Sequence, residues 1–206
     1  MHLFFDLCLA YSSLALFVLP LIACRWVDCS TYDDTLSISA IIHKEPLATT
    51  YAYFGAIFLL VVLFYQTIEH SLVRYFLSFM AVKCASVPLI MPLASVREGG
   101  DMAHDSLAIL GAVFECAYGV SVCTDLYSSA KPPRYSKYVL GSTIVMFITI
   151  LLGLFTYIIS QVSLDSQTKT WTSFQTYSMI VLEYTFGVSI LVMAKSVEMI
   201  EMGHRK

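Results

Sequence analysis

Charge is what this chain has least of. Only 13% of its 206 residues are Asp, Glu, Lys or Arg, against about 25% in an ordinary soluble domain. With 58% hydrophobic residues, most of its surface cannot face water, which excludes a soluble enzyme or carrier. Asparagine is missing altogether, so no N-glycosylation sequon exists in any compartment. The net charge is −3 and the basic residues are scattered, which argues against a nucleic-acid partner. No run of Lys or Arg marks a headgroup-bound electrostatic switch. The six cysteines contain no C-x-x-C pair, so no metal site and no cofactor is expected. G-x-S-x-G, H-E-x-x-H and H-x-x-x-x-D are absent as well, and with them the common hydrolase, metalloprotease and acyltransferase signatures.

What remains is a series of apolar segments of bilayer length. They predict an all-α polytopic membrane protein, one domain over 1–206, with spans near 3–24, 51–68, 75–96, 103–127, 138–160 and 176–194. The first segment lacks a basic n-region and its apolar run is about a bilayer long. It reads as a retained helix rather than a cleaved signal. The longest connection, residues 25–50, carries Trp26 and the pair Asp33–Asp34. Lys and Arg decide orientation. Arg74, Lys131, Arg134, Lys137, Lys195, Arg205 and Lys206 fall on one side; Arg25, Lys44, Arg97 and Lys169 fall on the other. Seven against four places both termini in the cytosol and the long first loop in a lumen or outside. Cys24 and Cys29 flank the start of that loop, where a small disulfide is one of two open readings. Cys8, Cys84, Cys116 and Cys123 read as small buried hydrophobes.

Several details follow from residue type. Pro88 and Pro92 should bend the third span. Gly141 and Gly153 in the fifth suggest close helix approach. The stretch from Lys195 to Lys206 reads as an amphipathic continuation of the sixth helix at the membrane surface.

The stretch Ala103–Tyr127 organises the polar residues. It opens with His104 and Asp105 and carries Glu115 halfway along. A carboxylate at the bilayer centre costs about 2.5–3.5 kcal/mol on insertion scales, so it normally turns inward. At about 3.6 residues per turn His104 and Glu115 return to one face, roughly 16 Å apart. Lys83 reaches a similar depth to Glu115. The two are expected either as a structural ion pair or, alternatively, with Lys83 snorkelling to the interface. His104, Asp105 and Glu183 either line a lumen-facing cavity or make helix-packing hydrogen bonds. Any general base would be His104.

Three segments together resemble the Frag/DRAM/Sfk membrane protein family: SISAIIHKEP (Ser37–Pro46), AHDSLAILGAVFECAYG (Ala103–Gly119) and YSMIVLEYTFGVSILVMAKSVEM (Tyr177–Met199). The likeness is greatest to the branch of post-GPI-attachment to proteins factor two, although Lys195 and Glu198 stand where that branch has His and Trp. The resemblance implies six helices and a role in fatty-acid remodelling of GPI anchors in the Golgi or endoplasmic reticulum. It points to Ser37, Ser39, His104 and Glu183: His104 and Glu183 read as catalytic candidates and Ser37 and Ser39 as substrate-binding ones, to which the cavity reading adds Asp105. Implied partners are a membrane lipid or GPI-anchored protein, with other membrane proteins. A non-enzymatic DRAM-like modulator of autophagy, traffic or a channel, at the lysosome or plasma membrane, is the alternative from a different functional class.

Overall fold

The computed structural model describes residues 2–18, 47–66, 71–90, 100–163 and 173–204. Six helices account for almost all of them: α1 (His2–Phe17), α2 (Leu47–Gln66), α3 (Leu72–Ile90), α4 (Gly100–Ser128), α5 (Ser136–Ser163) and α6 (Ser173–His204). There is no strand among the described residues. Five of the helices, α2 to α6, are long and apolar enough to cross a membrane; the apolar part of α1, Leu3–Phe17, is shorter. This is the architecture of a polytopic membrane protein. In oil a chain must satisfy its own backbone groups, and a helix does so within one segment.

The helices are apolar nearly all round, as expected where lipid rather than water lies outside. On α5 the large side chains Ile144, Phe147, Ile148, Leu151, Leu152, Phe155 and Ile158 are all exposed, a face that would be insoluble in water. Between α4 and α5, Pro132 and Pro133 fix the backbone and remove two donors, so the helix cannot run on. Ser136 restarts it, its amide and hydroxyl both donating to the Pro133 carbonyl at 3.0 and 2.6 Å.

Packing pairs α1 with α2, then α2 with α3, α3 with α4, α4 with α5 and α5 with α6, and α6 returns to α2. Helices α2 to α6 thus close a ring, with α1 docked against α2. Two apolar cores result. One joins Leu9 and Leu16 of α1 to Phe58, Val62 and Tyr65 of α2 and Ala194 of α6. The other joins Tyr118 and Val122 of α4 to Val139 and Met146 of α5 and Met193 and Val197 of α6. Helix α6 belongs to both, which makes it the strut of the bundle.

Two sequence expectations change here. The stretch from Lys195 onward does not lie on a surface: α6 runs on to His204, with Ser196, Val197, Glu198 and Ile200 buried. Gly141 and Gly153 do not mediate close approach, since a Cβ at either would meet nothing within 4 Å. Close approach occurs at Gly111, where a Cβ would lie 3.1 Å from the Ala85 amide nitrogen and 3.3 Å from the Ala81 carbonyl of α3. Gly119 is equally tight, against Thr143 of α5 and 3.0 Å from the Met193 sulfur of α6. Pro88 is accommodated inside α3, within its last turn; Pro92 lies outside the described residues.

Candidate functional site

Helix α2 ends on a tyrosine and a glutamine, Tyr65 and Gln66, both fully buried. Adjacent helical residues point about 100° apart, so the two side chains serve different neighbours. Each anchors a polar cluster.

Gln66 turns toward α3 and α4. Its Nε2 donates to Glu115 Oε1, and its Oε1 accepts from the Ser78 hydroxyl. The Tyr118 hydroxyl donates to the Gln66 backbone carbonyl at 3.0 Å. Gln66, Ser78 and Tyr118 are fully buried and Glu115 nearly so, at 3%. One amide therefore uses both ends of its dipole, holding a carboxylate from α4 on one side and a hydroxyl from α3 on the other. Buried polar atoms are tolerated when partnered in this way.

Tyr65 turns toward α1 and α6. Its hydroxyl donates to Asp6 Oδ1 at 2.8 Å. Lys195 of α6 donates to the same oxygen at 2.5 Å and also to Glu198 Oε2, one turn on. The ammonium lies 5.1 Å from the centroid of the Tyr65 ring, within cation–π range. Lys195 is thus held between two carboxylates and an aromatic face. Further along, Arg74 of α3, buried, pairs with the exposed Asp125 of α4. All these groups lie at the end where α1, α3 and α5 begin and α2, α4 and α6 finish.

This arrangement removes one of the two open sequence readings for Lys83. Lys83 and Glu115 do not form an ion pair: Glu115 is held by Gln66, and Lys83 is exposed. The reason is helical phase. On α3 the buried positions are Arg74, Ser78, Ala81, Cys84 and Pro88, while Phe76, Phe79, Lys83 and Val87 form the exposed stripe. The direction around the axis, which a depth estimate does not supply, separates the two.

The opposite end holds the residues singled out by the sequence. His104 is buried on α4, seven residues before Gly111, and so on the face that meets α3. Glu183 is half-buried on α6, one turn before Gly187, whose missing Cβ would lie 2.7 Å from the Phe17 ring of α1. Beside it Tyr184 packs against that ring at 6.0 Å, and both Glu183 and Tyr184 lie within electrostatic reach of Tyr51, whose hydroxyl donates to the Leu16 carbonyl at 3.1 Å. The two residues share an end of the bundle but occupy different seams, α4–α3 and α6–α1. Asp105 lies in α4, and its side chain is outside what is described. Ser37, Ser39, Cys24 and Cys29 also fall outside the described residues. Cys8, Cys84, Cys116 and Cys123 are free thiols. Among the described residues no group of three His, Cys, Asp or Glu side chains is placed to hold a metal ion.

Sequence reasoning passed over Gln66, Ser78, Asp6 and the partnership of Lys195 with Glu198. The available signal was a side-chain amide at the end of a wholly apolar segment, together with polar residues on three other segments at matching depth. No protein-family model, curated protein or solved structure matches the chain.

Proposed function

We propose that this membrane protein supports fatty-acid remodelling of GPI anchors in the Golgi or endoplasmic reticulum. The supporting observation is His104, a buried imidazole near the start of α4, at the end that the Lys/Arg count turns to the lumen. That is where the ester and phosphodiester groups of a GPI lipid lie. An ionisable residue buried at the edge of a span is a functional candidate because taking it out of water is costly. In this reading His104 takes the proton in acyl transfer, while Glu183, in a different seam, does not act through His104. Ser37, Ser39 and Asp105 are the candidates to bind the lipid's polar portion.

The deciding experiment measures the acyl composition of surface GPI-anchored proteins in cells whose only copy is His104→Ala. Loss of remodelling at normal expression is expected. Unaltered remodelling ends the catalytic assignment and leaves an assisting role, for which the same assay on cells lacking the protein is the check.

A second reading has its own support. The ionisable residues at the other end are tied to one another, as in the Asp6–Lys195–Glu198 cluster, a pattern that serves packing as readily as chemistry. A non-enzymatic modulator of membrane traffic or of a channel has such a core. Localisation separates the two: lysosomal or plasma-membrane residence, with GPI lipids unchanged on deletion, favours the modulator.

A further inference from the structure

Between α5 and α6, on the outside of the ring, runs a groove of about 290 Å³. Its walls are Gly141 and Val145 of α5 and Val188 and Val192 of α6; Ser142 and Ser189 form its floor. The groove exists partly because residue 141 is glycine: a Cβ there would meet no atom within 4 Å. Both serines are buried, and the Ser189 hydroxyl donates to the Thr185 carbonyl of its own helix at 2.8 Å. The lining is therefore mainly apolar, suited to a hydrocarbon chain rather than a polar head.

At one mouth stand Lys137 and Tyr138, the first turn of α5. Charge is concentrated here. Arg74 and Lys195 at this end of the bundle are neutralised by carboxylates. Lys131, Arg134 and Lys137 have no carboxylate partner among the described residues. Arg134 lies 5.9 Å from the Tyr135 ring centroid, and Lys137 lies 5.1 Å from that of Tyr138. Tyrosines of this kind settle at the level of lipid headgroups. The sequence has no uninterrupted basic run; Lys137 stands at the groove mouth, and Lys131 and Arg134 precede it in the short connection that leads into α5. By the Lys/Arg count this end faces the cytosol, whose leaflet carries the anionic lipids.

We propose that the α5–α6 groove holds an acyl chain of an anionic phospholipid, with its headgroup bound by Lys131, Arg134 and Lys137. The site is separate from the His104 end and does not depend on the GPI reading. Basic pockets between membrane helices on the cytoplasmic side bind anionic headgroups by the same physics. The groove supplies the second requirement, a slot that keeps one lipid resident rather than exchanging with the bulk.

The test reconstitutes the full chain in phosphatidylcholine bilayers. These carry a small fraction of either phosphatidylserine or phosphatidylcholine bearing a photoactivatable acyl chain, and cross-linked peptides are mapped by mass spectrometry. Phosphatidylserine should label the α5 and α6 groove peptides several-fold more than phosphatidylcholine does. Arg134→Gln and Lys137→Gln should each lower that preference by about fivefold, or to unity where less remains. Gly141→Leu should suppress groove labelling by both lipids, and Val192→Phe should do so from the α6 wall. Lys83→Gln, an exposed cation away from the groove, should leave labelling unchanged. Equal labelling by the two lipids overturns the proposal, as does a preference that survives the double glutamine variant. Protein–protein cross-links at the groove with a dimer mass also overturn it, assigning the groove to a second copy of the chain.

Discussion

Two polar clusters meet at the last turn of α2, and they solve the same problem differently. The Gln66 cluster is sealed: its four members are 0–3% exposed, and it holds the Glu115 carboxylate with an amide and no cation. The Tyr65 cluster is partly open, with the Lys195 and Asp6 side chains 36% and 41% exposed, and it sets an ammonium between two carboxylates. Deep in a bundle an ion pair must offset the desolvation of two charges, whereas one carboxyl with neutral donors desolvates a single group. Nearer the rim the ion pair is less costly because water reaches part of it. The clusters thus differ in chemistry because they differ in access.

Breaking the sealed cluster should have the largest effect. Gln66→Leu removes the donor to Glu115 and the acceptor of Ser78 at once, in a site closed to water. A loss of about 3 kcal/mol is expected, because a buried polar group stripped of its partner bears its full desolvation cost. Adding Glu115→Leu to that variant should recover more than half. Unfolding titrations of the purified protein in mild detergent measure both, and a double variant no more stable than the single one would refute the coupling.

The open cluster should yield less. Lys195→Met leaves Asp6 and Glu198 facing each other, with Glu198 almost wholly buried at 1%. Partial exposure of Asp6 admits solvent, so about 2 kcal/mol is expected, between the values for rim and interior pairs. Added salt should soften this defect and leave that of Gln66→Leu unchanged. Equal salt response in both would erase the distinction drawn from access.

The seam beneath the sealed cluster offers a smaller test. Gly111 sits one turn from Glu115 and lies against backbone atoms of α3, which cannot rotate away. Gly111→Ala should cost about 1–2 kcal/mol by overpacking, while Gly141→Ala, facing open space, should cost nothing measurable by thermal unfolding. If the two alanines behave alike, the α3–α4 seam is looser than its geometry implies.

How much of this was legible beforehand depends on which dimension of a helix is asked about. Span positions were largely readable, because length and apolarity are one-dimensional: α4 and α5 extend one to three residues beyond each predicted end, although α6 runs ten residues past its predicted finish. Direction around the axis was readable only where the contrast was strong, as for His104 and Glu115 on α4, both buried. It stayed undecided for Lys83, since large apolar side chains lie on the packed and the exposed sides of α3 alike and nothing local shows which is lipid and which is protein. It failed at Gly141 and Gly153, because a glycine marks the absence of a side chain and not the presence of a neighbour. The role of Lys195 was hidden for a third reason. Its partner Asp6 lies 189 residues away, and a charged turn at the end of a span looks the same whether it meets water or another helix.

The smallest effect is expected at Lys83, and it bears on the whole comparison. If charges at depth were retained only as mutual partners, Lys83→Leu would destabilise the fold by stranding a carboxylate. The structure puts Lys83 on the exposed stripe of α3 with Phe79 and Val87, where its long stem lets the ammonium reach toward the interface. Its removal strands nothing, and unfolding stability should change by less than about 0.5 kcal/mol. In a double-mutant cycle with Glu115→Gln the coupling should be nil, since the two side chains point to different sides of the bundle wall. A coupling above about 1 kcal/mol would return Lys83 to the core as the partner of Glu115, and Gln66 would then be no more than a bystander.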